Sequence, residues 1–481
     1  MDFLSPDFAP AYPEIFLLVM VCVVMLADLF AGEKHRYLAF FLALFALAGA
    51  AVLTYSTFST EVSYTFSGMF VDDALSDTLK LLMYLTVATV LIYSRVYISK
   101  RGLLRGEFFS LALFATLGMM VMVSASHLLT LYLGLELLSL ALYAMVALQR
   151  DSSVATEAAM KFFVLGALAS GFLLYGMSMI YGATGTLHTP ELTAVIRSGV
   201  MDHAVLVIGL VFVVAGISFK MSAVPFHMWA PDVYEGAPTA VTLFIGSAPK
   251  LAAFGFVMRL LVEGLGEMAA DWQGMLALLA IASMAVGNIV AIAQSNIKRM
   301  LAYSTISHMG FVLLGFLAIN ENGYSAAMFY VIAYVLMTVA AFGIIMLLSR
   351  EGFEADAISD FKGLNQRNSW VALIMMVVML SMAGIPPMIG FYAKLSVLQA
   401  ALEAGYLWLV ISAVVLSLIG AFYYLRIIKF MYFDTPEITQ PIVFKPDVRL
   451  LITVNGLAVV MLGIFPQMLM GLSLFAIQHS M

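Results

Sequence analysis

The sequence predicts an all-α polytopic membrane protein of about fourteen transmembrane helices. Three observations carry the prediction. Of 481 residues, 63% are hydrophobic and 11% charged, whereas a soluble domain carries about 25% charged residues to cover its surface. Apolar stretches of about 20 residues recur from end to end, each long enough to cross roughly 30 Å of hydrocarbon. Lys and Arg fall almost entirely on alternate loops, as cytoplasmic loops of membrane proteins require. The longest loops (57–73, 183–203, 350–368 and 434–446) are too short for a soluble domain, so residues 1–481 form one membrane domain.

Charged or Gly/Pro-containing breaks delimit the elements in order. Spans 1–3 lie near 13–31, 37–56 and 74–97. Met-Asp-Phe opens the chain without a basic flank, and the first apolar run has no small-residue cleavage site. Span 1 is therefore expected to be a retained helix and not a signal peptide. Spans 4–8 lie near 107–125, 127–149, 155–182, 204–230 and 238–262. Spans 9–13 follow near 272–295, 298–320, 324–349, 369–403 and 406–433, and span 14 near 448–472. With the N-terminus outside, sixteen of the 23 Lys and Arg residues, from Lys34 and Arg36 to Lys445 and Arg449, fall on the cytoplasmic side. Three (Lys80, Arg197 and Arg259) fall outside. Both termini are thus expected on the periplasmic side of a bacterial cytoplasmic (inner) membrane.

The four remaining cations, Lys161, Lys220, Lys250 and Lys394, lie within spans. A charge at mid-bilayer costs at least about 2.5–3.5 kcal/mol, so it marks a protein-lined interior with a function. Lys250 follows Pro249, whose missing N–H frees a carbonyl as a local partner. Lys220 precedes Pro225, and Lys394 follows Pro386-Pro387 in a span too long for one straight crossing. Spans 7 and 12 are therefore expected to be interrupted helices, which mark ion sites in transporters. Glu136 is a carboxylate at mid-depth of span 5, placed to pair with a buried lysine and shift its proton affinity. His308 in span 10 titrates near neutrality and stands among Tyr303, Ser304, Thr305 and Ser307. His227, just past Pro225, suits either a proton relay or a hydrogen bond at the break, and Lys161 suits either proton transfer or, close to a helix end, snorkelling to the headgroups.

Two short matches recur at a shift of 168 residues: Ala158-Ala159-Met160 with Ala326-Ala327-Met328, and Ala215-Gly216-Ile217 with Ala383-Gly384-Ile385. An odd number of spans separates each pair, so the copies face opposite ways. That predicts two inverted five-helix repeats, spans 4–8 (about 107–262) and 9–13 (about 272–433). Other chemistries are excluded. One cysteine, Cys22, supports neither a disulfide framework nor an iron–sulfur cluster. No Gly-x-Gly-x-x-Gly follows a strand, and no basic run suggests nucleic acid.

The stretch GISFKMSAVPFHMWAPDVYEGAPTAVTLFIGSAPKLAAF (Gly216 to Phe254), with NIKRMLAYSTISHMG (Asn296 to Gly310) and LYLGLELLSL (Leu131 to Leu140), resembles the antiporter-like subunits of respiratory complex I, the proton-pumping NADH:quinone oxidoreductase. Pro231-Asp232-Val233-Tyr234-Glu235-Gly236-Ala237-Pro238 is similar to the N type of that family and separates it from types L and M. The resemblance spans nearly the whole chain. It implies fourteen helices and one proton path per subunit. The family's glutamate falls on Glu136 and its lysines on Lys220, Lys250 and Lys394. It implies no cofactor or metal on this chain, with NADH, FMN, iron–sulfur clusters and quinone on partner subunits. It implies subunits M and K as neighbours, besides membrane lipid. The expected path enters from the cytoplasm, reaches the axis at Lys220 or Lys250, passes His308 and leaves near Lys394, with Glu136 tuning Lys220. The rivals are a subunit of a multi-subunit sodium/proton antiporter or of a membrane-bound hydrogenase, which share the fold, a structural scaffold whose lysines are idle, and a free-standing solute transporter.

Overall fold

The computed structural model describes residues 6–31, 37–199, 201–350, 352–436 and 445–481. Lys34, Arg36 and most of the 434–446 loop lie outside the described residues. Helices α1 (Tyr12–Ala31), α2 (Tyr37–Thr57) and α3 (Ala74–Lys100) open the chain. Asp73 caps α3 in a reciprocal box with Ser76, satisfying orphan amides of the first turn. Next come α4 (Gly106–Val123), α5 (Leu128–Val146), α6 (Ser153–Thr184), α7 (Thr189–Ser198) and α8 (His203–Met221). They are followed by α9 (Trp229–Gly236), α10 (Thr239–Gly246) and α11 (Ala248–Val257), which runs into a π-helical turn at Met258–Gly264. The second half holds α12 (Ala269–Ile292), α13 (Ile297–Phe316), α14 (Glu321–Leu348), α15 (Leu364–Arg367), α16 (Ser369–Ala383), α17 (Ile389–Glu403) and α18 (Leu407–Phe433). Helices α19 (Pro446–Ile464) and α20 (Gln467–Gln478) close it.

Twelve segments of the described residues are long and apolar enough to cross a membrane. The other two expected spans take different forms. Helix α13 carries Lys298, Arg299, His308 and several hydroxyls, and 369–403 is divided into α16 and α17. Two expected loops hold structure: α7 lies in 183–203, and strands β1 (Ser63–Thr65) and β2 (Phe70–Asp72) pair antiparallel in 57–73, Tyr64 opposite Val71. Both ends of the described chain share one face. Thr65 donates to the Asp7 carbonyl, and Leu75 N donates to Ser480 Oγ at 2.8 Å. On the opposite face Arg101 meets Glu354 at 2.7 Å and Asn296 meets Asp356 at 3.1 Å.

Helix α14 and the α10–α11 segment are buried on nearly every side and form the centre. Helices α1, α2 and α18 expose apolar residues such as Leu29, Phe41, Leu418 and Phe433, as membrane-facing helices do. Small residues set the closest approaches. A Cβ on Gly118 of α4 would lie 2.5 Å from the Leu138 nitrogen of α5, so only glycine lets these backbones touch.

The 168-residue spacing recurs between two helix starts and not between the two breaks. Helices α6 and α14 begin at Ser153 and Glu321, which keeps the spacing of 168. They begin on opposite faces: Lys161 of α6 meets Arg299's partner Asp232 on the face away from the termini, while Glu321 accepts from Gln478 at 2.9 Å near the C-terminus. The breaks, however, follow Met221 and Ala383, which are 162 residues apart (383 minus 221). Ala215–Ile217 therefore lies inside continuous α8, whereas Ala383-Gly384 is itself the second break.

Candidate functional site

The two breaks create the polar positions of the core. Helix α8 stops because Ser222 adopts a left-handed conformation (φ 64°), which ends the α-helical hydrogen-bond ladder and leaves its last carbonyls to other donors. Trp229 supplies one, its indole N–H donating to the Phe219 carbonyl at 3.0 Å while its ring stacks on Phe162 at 4.6 Å. Lys220 sits in this last turn, where the helix dipole favours a cation, and donates to Ser139 Oγ at 2.8 Å. Lys250, 2% exposed, donates to Ser222 Oγ at 3.1 Å and lies 5.8 Å from the Trp229 ring centre. The two lysines thus flank one break from two helices.

Glu136 is one helical turn from Ser139, but it pairs with no lysine among the described residues; its partner is the hydroxyl of Ser170 on α6. The expected ion pair is therefore replaced by a longer-range arrangement in which the Glu136 charge acts on Lys220 without contact. His227 is half-buried in the break, and its Nδ1 has no hydrogen-bond partner.

The second break has the same logic with different residues. Gly384 ends α16 at φ +88°, and a Cβ there would strike the Lys394 side chain at 2.9 Å. Lys394 donates to the freed Ala383 carbonyl at 2.9 Å and to Ser417 Oγ of α18 at 2.7 Å, beneath Phe311 at 5.2 Å. Between the breaks stands His308, 3% exposed. Its Nδ1 meets Tyr330 Oη at 2.7 Å and its Nε2 meets Tyr424 Oη at 3.1 Å. Tyr424 in turn meets Ser304 at 2.5 Å, and Thr305 meets Tyr334 at 2.7 Å. Each ring nitrogen thus faces a hydroxyl that both donates and accepts, so the imidazole can take a proton on one side and release one on the other.

Lys161 lies apart from the other three lysines. Its side chain is 44% exposed and joins Glu157 at 2.9 Å and Asp232 at 2.8 Å. Asp232 also meets Arg299 at 2.7 Å, and Arg299 meets Glu235 at 2.8 Å. This ion-pair cluster sits on the face away from the termini and is separate from the buried lysines.

Three buried cations were missed by counting loop charges. Lys80 is fully buried beside Glu14 (2.9 Å), Asp77 (3.7 Å) and Asp72 (4.0 Å). Arg259, equally buried, binds Asp73 at 2.8 Å, Glu263 at 2.6 Å and the Val123 carbonyl at 2.8 Å. Lys298, 3% exposed, donates to the Ala237 carbonyl at 3.0 Å. The Asp72-Asp73…Asp77 run before Lys80, and the Arg259/Glu263 spacing of one helical turn in an apolar run, were the available signals.

Comparison with known proteins agrees with this architecture. Residues 125–420 match the family described as NADH:quinone oxidoreductase/Mrp antiporter, transmembrane. The chain is 81% identical over 481 residues to the NADH-quinone oxidoreductase subunit N of Nitrosomonas europaea, covering 100% of both chains. It resembles a chain of respiratory complex I from Thermus thermophilus solved with bound aureothin (TM-score 0.81, 31% identity, 95% of this chain and 98% of that one). It also shares its fold with a chain of the Mrp complex from Dietzia (TM-score 0.83, 21% identity, 97% of each).

Proposed function

The chain belongs to the subunit N family of NADH-quinone oxidoreductase, antiporter-like membrane subunits of complex I, and from that premise we propose that its buried lysines and histidine carry protons across the membrane. The observation that carries the reading is the placement of Lys220 and Lys250 around one helix break and Lys394 at the other, with His308 and its hydroxyl partners between them. An ammonium held in a protein interior gains from each hydrogen bond to its charged form and loses from desolvation. Small movements at a break, which change those bonds, therefore load or release its proton. A carboxylate one turn from the Lys220 acceptor biases the same balance without forming a pair that would fix it.

In this proposal protons enter from the cytoplasm, reach the axis at Lys220 or Lys250, pass His308 and leave near Lys394. Both termini lie on the periplasmic side, subunits M and K are the neighbours, and NADH, FMN, iron–sulfur clusters and quinone are held by partner subunits. Membership of the subunit N family favours this over the sodium/proton antiporter reading. His227, with a free ring nitrogen in the break, is assigned to the same path as an accessory group. Lys161 is assigned to the surface ion-pair cluster. Replacing Lys220 or Lys394 by Met in the assembled complex tests the reading. Impaired NADH-driven proton uptake is expected in vesicles, and unchanged turnover and stoichiometry in both variants refutes it.

A further inference from the structure

Resting on that reading, the structure assigns Lys298 and Tyr234 to a separate proton-uptake limb that joins the face away from the termini directly to His308.

Lys298 occupies the first turn of α13, where the helix dipole disfavours a cation, and is 3% exposed. A buried ammonium is costly unless it is paired, yet its hydrogen bond goes to a neutral carbonyl, that of Ala237. The charges of Glu354, Asp356, Glu235 and Arg101 act on it without contact. A cavity of about 540 Å³ opens beside the start of the same helix, lined by Glu235, Asn296, Asp356 and Arg426 among others. Lys298 follows the lining residue Asn296 by two positions, so this polar vestibule opens beside it.

The inward side is equally specific. Thr305 is seven residues along α13, on the same helical stripe as Lys298 and about 10 Å deeper. Tyr234 lies three residues before Ala237. Its hydroxyl is fully buried and lies against those of Thr305 and Tyr334. It thus lies between the segment that holds Lys298 and the Thr305–Tyr334 pair, and the Tyr334 ring is 5.3 Å from that of His308. In the proposed transfer the Nζ–H bond of Lys298 breaks, and its proton passes through water to the Tyr234 oxygen. The hydroxyl's own proton moves on toward Tyr334 and Thr305, and the vestibule reprotonates the amine.

The test separates relay from anchor. Arginine keeps the charge and the donors but does not release a proton, and Tyr234→Phe removes only the hydroxyl. The assembled complex carrying each change is reconstituted in vesicles, and NADH-driven proton uptake is read beside NADH oxidation by a soluble artificial acceptor. The limb predicts that Lys298→Arg and Tyr234→Phe each lower the initial uptake rate by roughly tenfold or more, with the acceptor reaction unchanged. Wild-type uptake in Lys298→Arg, with loss only in Lys298→Gln, makes Lys298 a charged anchor and overturns the inference. Wild-type uptake in Tyr234→Phe overturns the route through that hydroxyl. If Lys220→Met and Lys394→Met lose uptake while these two variants keep it, the limb fails and the function stands. If none of the four loses uptake, the function itself fails.

Discussion

Replacing Ser417 by Ala isolates one hydrogen bond at the second break. Lys394 has two acceptors, the Ala383 carbonyl at 2.9 Å and Ser417 Oγ at 2.7 Å. The substitution removes one and leaves the fold's backbone acceptor in place. A hydrogen bond to a charged group contributes about 1.5–3 kcal/mol. If protonated Lys394 is an obligatory intermediate, the barrier through it rises by that amount. At about 1.4 kcal/mol per factor of ten, proton uptake should slow about ten- to hundredfold, with less loss if water enters the vacated space. The assay is the initial rate of NADH-driven uptake by vesicles containing the complex, against the amount assembled. Ser417→Thr, which keeps the hydroxyl, should recover most of the rate. Ser412→Ala, on the same helix with its hydroxyl turned back to Trp408, should have no effect. Wild-type uptake in Ser417→Ala would show that Lys394 never needs to be charged there.

Other outcomes follow from the same geometry. Tyr424→Phe and Tyr330→Phe each leave one His308 nitrogen without its hydroxyl, so the double variant should lose more uptake than either alone, measured in the same vesicles. Lys80→Met strands three buried carboxylates and should destabilise the subunit by about 3–5 kcal/mol, read as loss of assembled complex on heating; adding Glu14→Leu should recover part of it. Lys161→Met removes an exposed partner from Asp232, which Arg299 still holds, and should change uptake by less than about twofold. Trp229→Phe keeps a ring beside Lys250 but removes one of two donors from the Phe219 carbonyl, which retains the Ser222 N–H, at a stability cost of about 0.5–1.5 kcal/mol visible as a lower unfolding temperature.

Much of this was legible in the residues. Pro225 and Pro386-Pro387 marked the breaks, and the lysines near them proved to be the ones held at freed carbonyls or nearby hydroxyls. Hydrophobic runs gave the spans because their backbones must bond internally in lipid. What escaped depended on how helices pack. Lys80 and Lys298 stand near helix ends, where sequence reasoning places charges in water, yet the hairpin and α1 cover one and α9 the other. Lys161 lies at similar depth but faces outward, and no single-helix pattern tells those cases apart when every face is apolar. Glu136 was found, but its partner was a serine from α6, whose rotation about its axis is set by the glycine contacts between α6 and α8. The spacing of 168 separates the starts of α6 and α14, whereas the breaks are six residues closer together, set by the left-handed Ser222 and Gly384.

The most direct test of the account is the ratio of protons moved per NADH oxidised in the complex carrying Lys394→Arg. The charge and donors at the second break remain, and only the capacity to release a proton is lost. The account predicts a lower ratio, or turnover slowed together with pumping, in a fully assembled complex. Wild-type ratio and rate would contradict it, because Lys394 would then be a fixed charge and not a step on the path.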